Sequence, residues 1–544
     1  MIESYLIALF LFVLFVLFFN YKEVKRSKIE SSEDRKYILW TQIAILIGVL
    51  LRTIDLSVPS GIFVDEAISG YDSWCLAYYG VDQHLLSYPV YLKSWGTGQS
   101  AVYSYLGIPF IKLFGLSAPV YRLPMALVSC ISLIFLYYTL RRTQQNTFLT
   151  FIIILLFIIS PWHIMKSRWA LDCNLSPDFV LIGVCLFVLG YYVYTQKIQK
   201  SLLYYLGGCL LFSLAAYSYG VSWFMLPFFV IFLFIFLYRK KRITILQTGT
   251  CLLLLLILLF PLILFAYNLL IAKGEAFTVG GITITSLVES RHNDTTILGS
   301  GYYLGYILRG ISMLFTGDDG LPWNSIRYIG QFYNLLGMPF AIWALIRLIY
   351  TRKFSTWDLI FGLWLLSTLP IILIVRPNVN HWNLVWFPLM YFVGRGLSFC
   401  FEKVKKSGYA LIGAACILTI VFAVKYIHLF GENAPLIGFP RNYDKLQEFS
   451  GNKNFDRIYY PDGTIYVIPM FYDPVSPYEF ERTKSGVGGG ITSYGKHYLY
   501  TPPEIQPISK TLYIVYSSDL DKYNIDLTEF QTQKINEFTL LWND

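Results

Sequence analysis

Charge is what this chain has least of. Only 14% of its 544 residues are charged, against 56% hydrophobic and 18% aromatic, with a mean hydropathy of +0.53. That balance excludes the soluble globular class. Zinc-site spacings of the CxxC or Cys/His kind are also missing. Of the eight cysteines, Cys130, Cys185, Cys209, Cys251, Cys400 and Cys416 fall in apolar runs, and Cys75 and Cys173 near their ends. Residues 431–544 hold no cysteine and no apolar run long enough to cross a bilayer, so an external tail would fold without disulfides. The first apolar segment lacks a basic flank before it and a small-residue cleavage site after it, and reads as a retained span. The GVGGG run at Gly486–Gly490 lacks the strand, the Lys-Ser/Thr and the helix start of a phosphate loop, and reads as a connection.

What is present is a succession of apolar runs of bilayer length, about 17–25 residues. They are expected at Tyr5–Phe19, Ile38–Ile54, Pro119–Leu140, Phe148–Ser160, Pro177–Tyr194, Leu202–Ser218, Trp223–Tyr238, Ile245–Ile271, Ile329–Tyr350, Leu359–Val375, Leu384–Phe401 and Ala410–Phe430. This predicts an α-helical polytopic membrane protein of about 12 transmembrane helices. Ala101–Leu116, with Pro109, Lys112 and Gly115, suits an interfacial segment. The last 114 residues carry 10 Lys/Arg and 15 Asp/Glu, leaving 33 and 19 for residues 1–430. The membrane part is therefore +14 and the tail −5. The basic residues stand in short clusters between apolar runs, as orientation signals do, which argues against a nucleic-acid partner.

Alternate connections hold those clusters: Lys22–Lys36, Arg141 and Arg142, Lys197 and Lys200, Arg239–Arg242, Arg352 and Lys353, and Lys403–Lys406. By the positive-inside rule they are cytoplasmic. Loop 55–118, the Pro161–Ser176 turn, loop 272–328, the Arg376–Asn383 turn and the tail are then extracytoplasmic. The expected domains are 1–37, an extra N-terminal helix and basic loop; 38–430, the main membrane domain; and 431–544, a small extracytoplasmic domain. Stretches such as RIYYP, TIYVIP and TLYIVYSS predict that last domain to be α/β or β-rich.

The outer loops gather the polar residues. Asp65 and Glu66 adjoin at a membrane boundary, where an ionised acid in hydrocarbon would cost several kcal/mol and therefore faces water, a cation or a substrate. Asp72, Asp82, His84, Lys93 and Gln99 follow, then Arg122. An aspartate of ordinary pKa, about 3.9, can accept a proton from a hydroxyl, and a guanidinium suits a phosphate. The plainer reading has the acids solvating a helix end and Arg122 reaching to headgroups.

The DEAISGYD stretch, the Pro-bearing loop after it and FGLSAPVYRLP resemble the first external loop and following helix of the GT-C glycosyltransferases. The likeness is to the branch of protein O-mannosyltransferases and the aminoarabinose transferases of lipid A, glycosyltransferase family 39-like. SPWHIMKSRWALDCN at Ser160–Asn174, DDGLPWNS at Asp318–Ser325 and RPNVNHWNLVWFP at Arg376–Pro388 extend it over most of residues 38–430. The resemblance implies a hexosyl- or pentosyltransferase. Its donor is a polyprenyl-phosphate-linked sugar and its acceptor an envelope glycan or protein, with inversion at the anomeric carbon. Asp65 matches the catalytic acid position, acting as base; Glu66 shapes the site; Arg122 neutralises the departing phosphate.

Arg168, beside His163 and Lys166, is a second phosphate candidate or a headgroup contact. Asp172 and Asn174 are candidate sugar contacts. Arg291, with His292 and Asp294, and Asp318, with Asp319, are acceptor contacts or solvated turns. Asn380 and His381 are donor-pocket candidates. No cofactor is required; a divalent metal on Asp65, Glu66, Asp72 and His163 is left open, since no spacing requires it. The alternative functions are an outer-face glycan polymerase or ligase, and a lipid-linked saccharide transporter, for which no repeated halves are evident.

Overall fold

The computed structural model describes residues 2–26, 31–94, 97–144, 146–287, 295–297, 301–432, 438–523 and 525–543. The chain divides into two compact units that do not follow sequence order. Unit one is Met1–Leu56, Arg122–Leu264 and Arg291–Leu436; unit two is Ser57–Tyr121, Phe265–Ser290 and Ile437–Asp544. The segment expected to begin a separate tail at 431 thus folds together with two stretches expected as membrane-domain loops.

Unit one is helical. Among the described residues nine helices are long and apolar enough to cross a membrane, ten with one bent pair. The chain is therefore a multi-pass membrane protein. Helix α1 is Ile2–Arg26 and α2 Ser32–Thr53, capped where the Ser31 hydroxyl accepts from Asp34 N–H. Helix α5 (Ala118–Thr143) passes into unit one at Arg122. The span expected at Phe148–Ser160 is α6 (Thr147–Ile159), and a second helix, α7 (Pro161–Ser167), continues from it after a bend of 53°. Pro161 has no N–H to continue the ladder, and the Ser160 hydroxyl restarts it by accepting from His163 N–H. The turn expected at Pro161–Ser176 is in this way largely helical. Helices α8 (Leu175–Val193), α9 (Ile198–Ser218), α10 (Leu226–Arg239) and α11 (Ile245–Tyr267) follow. The helix expected from Ile329 starts only at Asn334, because Tyr328, Gly330 and Tyr333 have positive φ.

Unit two is built on a six-stranded mixed sheet ordered β6-β7-β5-β8-β10-β9. Here β5 is Arg457–Tyr459, β6 Ser493–Tyr494, β7 His497–Tyr498, β8 Thr511–Tyr516, β9 Gln531–Ile535 and β10 Phe538–Asn543. Strand β5 runs parallel to β7 and β8; the other pairs are antiparallel. RIY and TLYIVY are strands as expected, but TIYVIP is not. Val467–Tyr472 is a helix burying Val467, Ile468, Met470 and Phe471, and Pro469 could not donate to a ladder.

Unit two also holds α3 (Val64–Tyr79), the hairpin β1 (Tyr91–Ser94) and β2 (Thr97–Ser100), α4 (Val102–Phe114), and the hairpin β3 (Phe277–Val279) and β4 (Ile282–Ile284). At 1.5 Å per residue, α4 is about 20 Å long, short of the roughly 30 Å hydrocarbon core. What ties α3 to the C-terminal segment is the Phe471 ring lying against the Gly70 backbone: a Cβ at Gly70 would lie 2.4 Å from Phe471 Cε2. The Tyr71 hydroxyl adds a bond to Val475 O at 2.9 Å.

Candidate active site

The acid pair opens α3, and the helix start separates its members. Phe63 is extended, and its N–H donates to the Glu66 carboxylate at 3.1 Å, so Glu66 closes the first turn from inside and is wholly buried. Asp65, in the same first turn, is half-buried. A carboxylate there is favoured by the unsatisfied N–H groups of the helix start. The Asp65 carbonyl accepts from Ser69 Oγ at 2.8 Å and from Gln99 Nε2 at 3.3 Å. Gln99 stands opposite Leu92 in the β1–β2 hairpin, and half-buried Lys93 is the next residue along β1. Four of the expected residues are thus gathered around one helix start and one hairpin.

Asp72 lies two turns along α3, wholly inside. Its carboxylate accepts from Gln83 N–H at 2.9 Å and Gln83 Nε2 at 3.0 Å, and Gln83 Oε1 accepts from Tyr466 Oη at 2.9 Å. Burial, with the charge of Asp82 added, pushes the Asp72 carboxyl well above the usual carboxylate range despite those bonds. Burial likewise raises Asp82, which accepts from His84 and Leu86 N–H. Asp72 is therefore a brace between loop 80–86 and the C-terminal segment.

In unit one the two arginines expected at a phosphate are turned to backbone. Arg122 is fully buried and donates to Leu56 O at 3.1 Å. Arg168 donates to Leu51 O at 3.1 Å, Ile54 O at 2.7 Å and Asp55 O. Both hold carbonyls at and beyond the end of α2, which the helix itself leaves unsatisfied.

His163 belongs to a buried network that the sequence reading missed. Its Nδ1 accepts from Arg52 Nε at 3.1 Å and Nη2 at 2.8 Å, while Nε2–H donates to Asp178 at 3.0 Å. Asp178 also accepts from Lys166 Nζ at 2.5 Å, Ser129 Oγ at 2.9 Å and Ser132 Oγ at 2.6 Å. One carboxylate thereby joins α2, α5, α7 and α8. Single charges inside apolar runs, at Arg52 and Asp178, were the available signal.

Asp172 accepts from Cys173 N–H at 2.7 Å, and Asn174 Nδ2 donates to Trp169 O at 3.0 Å, so both shape the turn into α8. Asp318 accepts from Gly320 N–H at 2.8 Å and lies 3.4 Å from Arg327 Nε. Its neighbour Asp319, buried, does more: it accepts from Asn324 Nδ2 and Val379 N–H, both at 2.8 Å. Asn380 Nδ2 donates to Asn324 Oδ1 at 2.9 Å, and His381 Nδ1 lies 3.1 Å from Arg376 O. The DDGLPWNS and RPNVNHW segments are in this way one assembly centred on Asp319 and Asn324. Arg291, His292 and Asp294 lie outside the described residues.

Among the described residues no three His, Cys, Asp or Glu side chains form a metal set. Of the four that could have supplied one, Glu66 is bonded to Phe63, Asp72 to Gln83, and His163 to Arg52 and Asp178.

No protein-family model matches the sequence, and neither does any curated protein sequence. Solved structures do match. ArnT from Cupriavidus metallidurans bound to undecaprenyl phosphate aligns with a TM-score of 0.56 at 11% identity, over 92% of this chain and 97% of that one. Its apo form aligns at 0.54 with the same identity and coverage. The archaeal oligosaccharyltransferase AglB from Archaeoglobus fulgidus, with an inhibitory peptide and a dolichol-phosphate, aligns at 0.47 and 13% identity over 76% of this chain, which spans 58% of its length. Nearly end to end, and at an identity that carries fold alone, the chain has the GT-C membrane fold of ArnT.

Proposed function

We propose that this protein is a membrane glycosyltransferase that moves a sugar from a polyprenyl-phosphate donor to an envelope acceptor on the extracytoplasmic face. The supporting observation is the likeness to ArnT along almost all of both chains, since that protein was solved with undecaprenyl phosphate bound. Asp65 is the base. It takes the proton of the acceptor hydroxyl as that oxygen attacks the anomeric carbon; the bond from that carbon to the phosphate oxygen breaks on the opposite face, inverting configuration, and the lipid phosphate departs. Glu66 keeps the first turn of α3 in place. Negative charge grows on the departing phosphate, and a fixed cation lowers the barrier most where that charge develops. Lys93, on the hairpin that brings Gln99 to Asp65, supplies it. Arg122 and Arg168, which donate to the carbonyls of Leu56 and of Leu51, Ile54 and Asp55, contribute by holding the backbone ahead of α3.

The test uses the purified full-length protein in proteoliposomes with polyprenyl-phosphate-linked hexose or pentose and an envelope-glycan acceptor. Release of lipid phosphate with wild type, and a loss of about 10²–10⁴-fold with Asp65→Asn, is expected for removal of a general base. Undiminished transfer by Asp65→Asn would overturn the assignment.

A further inference from the structure

The basic connections of unit one are not equivalent. Three of the six carry acids among their cations: Glu23, Glu33 and Asp34 accompany Lys22–Lys36, Asp358 follows Arg352 and Lys353, and Glu402 precedes Lys403–Lys406. The Arg141–Arg142 connection has none of its own, but the fold brings two to it, since Asn146 donates to Glu402 and Thr147 to Asp34. The α9 start and the α10–α11 connection carry none. Residues 194–203 and 238–248 contain Lys197, Lys200, Arg239, Lys240, Lys241 and Arg242 and no Asp or Glu.

The fold brings these two stretches together. Gln247 Nε2 donates to Ile198 O at 3.0 Å and to Ser201 Oγ at 3.1 Å, and Tyr205 Oη donates to Arg242 O at 2.7 Å. Arg242 is held with its guanidinium 4.7 Å from the Tyr191 ring centroid. Residues 194–200 line a cavity of about 600 Å³. Lys197, Lys200, Arg239, Lys240 and Lys241 are exposed. Bare apolar side chains stand among them: Ile245 is 76% and Leu246 81% exposed, with Ile198, Leu203 and Tyr238 also open. Cations over an apolar belt at the ends of membrane helices match one ligand chemistry, phosphate above acyl chains.

We propose that the junction of the α9 start with the α10–α11 connection binds an anionic phospholipid. The headgroup phosphate sits on Lys197, Lys200, Lys240 and Lys241, and the chains run along Ile198, Leu203, Ile245 and Leu246. An orientation signal alone needs cations on the correct side of the membrane; it does not need two connections joined without an acid. Each lysine near such a headgroup contributes about 1 kcal/mol, roughly a fivefold change in affinity, and the pull weakens with salt.

The test is native mass spectrometry of the full-length protein in detergent, titrated with cardiolipin, phosphatidylglycerol or phosphatidylcholine. Anionic-lipid adducts should exceed phosphatidylcholine adducts, and the combined Lys197→Gln, Lys200→Gln, Lys240→Gln and Lys241→Gln variant should lose tenfold or more of them. The corresponding arginine variant should keep them, and so should Lys403→Gln, Lys405→Gln, Lys406→Gln. Equal adducts with phosphatidylcholine, equal losses in both glutamine sets, or displacement by millimolar inorganic phosphate, which has the charge without the chains, would overturn the proposal.

Discussion

At the residue scale, the two adjacent acids differ because one helix start uses them differently. Glu66 is drawn in to receive the Phe63 N–H, and Asp65 is left half-buried with its carbonyl tied to Gln99. Their adjacency at a boundary was legible in sequence, since charge beside hydrocarbon is costly; the division between them was not, because it depends on where α3 begins. Arg122 shows the opposite. Its residue type suits phosphate, yet the fold buries it and turns one guanidinium nitrogen to Leu56 O. Arg122→Ala should therefore destabilise the protein by about 1.5–3 kcal/mol, the range for a charged hydrogen bond. Lys93→Met should raise the KM for the lipid-linked donor without moving the melting temperature. Thermal melts beside donor titrations check both.

Asp72 carries a pH prediction. Its carboxyl titrates higher in the folded state than in the unfolded chain, so the stabilising form is the neutral one: the contribution is complete below the usual carboxylate range and is lost as pH rises through the raised value. Asp72→Asn, which cannot ionise, should raise the melting temperature more at pH 8 than at pH 5. Asp473 runs the other way. With His497 and Lys496 against it the carboxyl falls to about 2, so its contribution holds above about 4 and fades as pH falls toward 2. Asp473→Asn should flatten the acid limb of a melting curve.

At the scale of elements, apolar length made most helices legible, and the errors fall where proline or positive φ intervenes. The α6–α7 bend at Pro161 and the late start at Asn334 are both of that kind. TIYVIP misled because its apolar residues serve either period until tertiary contact decides, and here Phe471 packs on Gly70. Gly70→Ala would force overpacking at that contact, a cost of about 1–3 kcal/mol readable by thermal melting. The Asp178 network makes a parallel claim for unit one. Asp178→Ala leaves Lys166 buried without its counter-ion, and a loss of about 3–5 kcal/mol is expected. The lone charges Arg52 and Asp178 inside apolar runs hinted at that network, but their pairing was not legible, since its members come from four helices.

At the scale of the whole molecule, membrane class and the GT-C likeness were legible from composition and a few segments between apolar runs, and the alignment with ArnT extends over 92% of the chain. The two-unit division was not legible: residues 57–121 read as a loop because their partners lie far away in sequence, 404 positions for Tyr71 and Val475. Charge asymmetry predicts the sidedness. A cysteine replacing Ser485 should react with membrane-impermeant thiol reagents on intact cells, whereas reaction only after lysis would put Asp65 on the cytoplasmic side.

The central claim, transfer of a sugar from a polyprenyl phosphate with Asp65 as base, is tested most directly in cells lacking the protein and restored with wild type or Asp65→Asn. Mass spectrometry of their envelope glycans and lipid-linked sugars should find one sugar missing, and its polyprenyl-phosphate form accumulated, in the deletion and with Asp65→Asn but not with wild type. Identical glycans and lipid-linked pools in all three would contradict it.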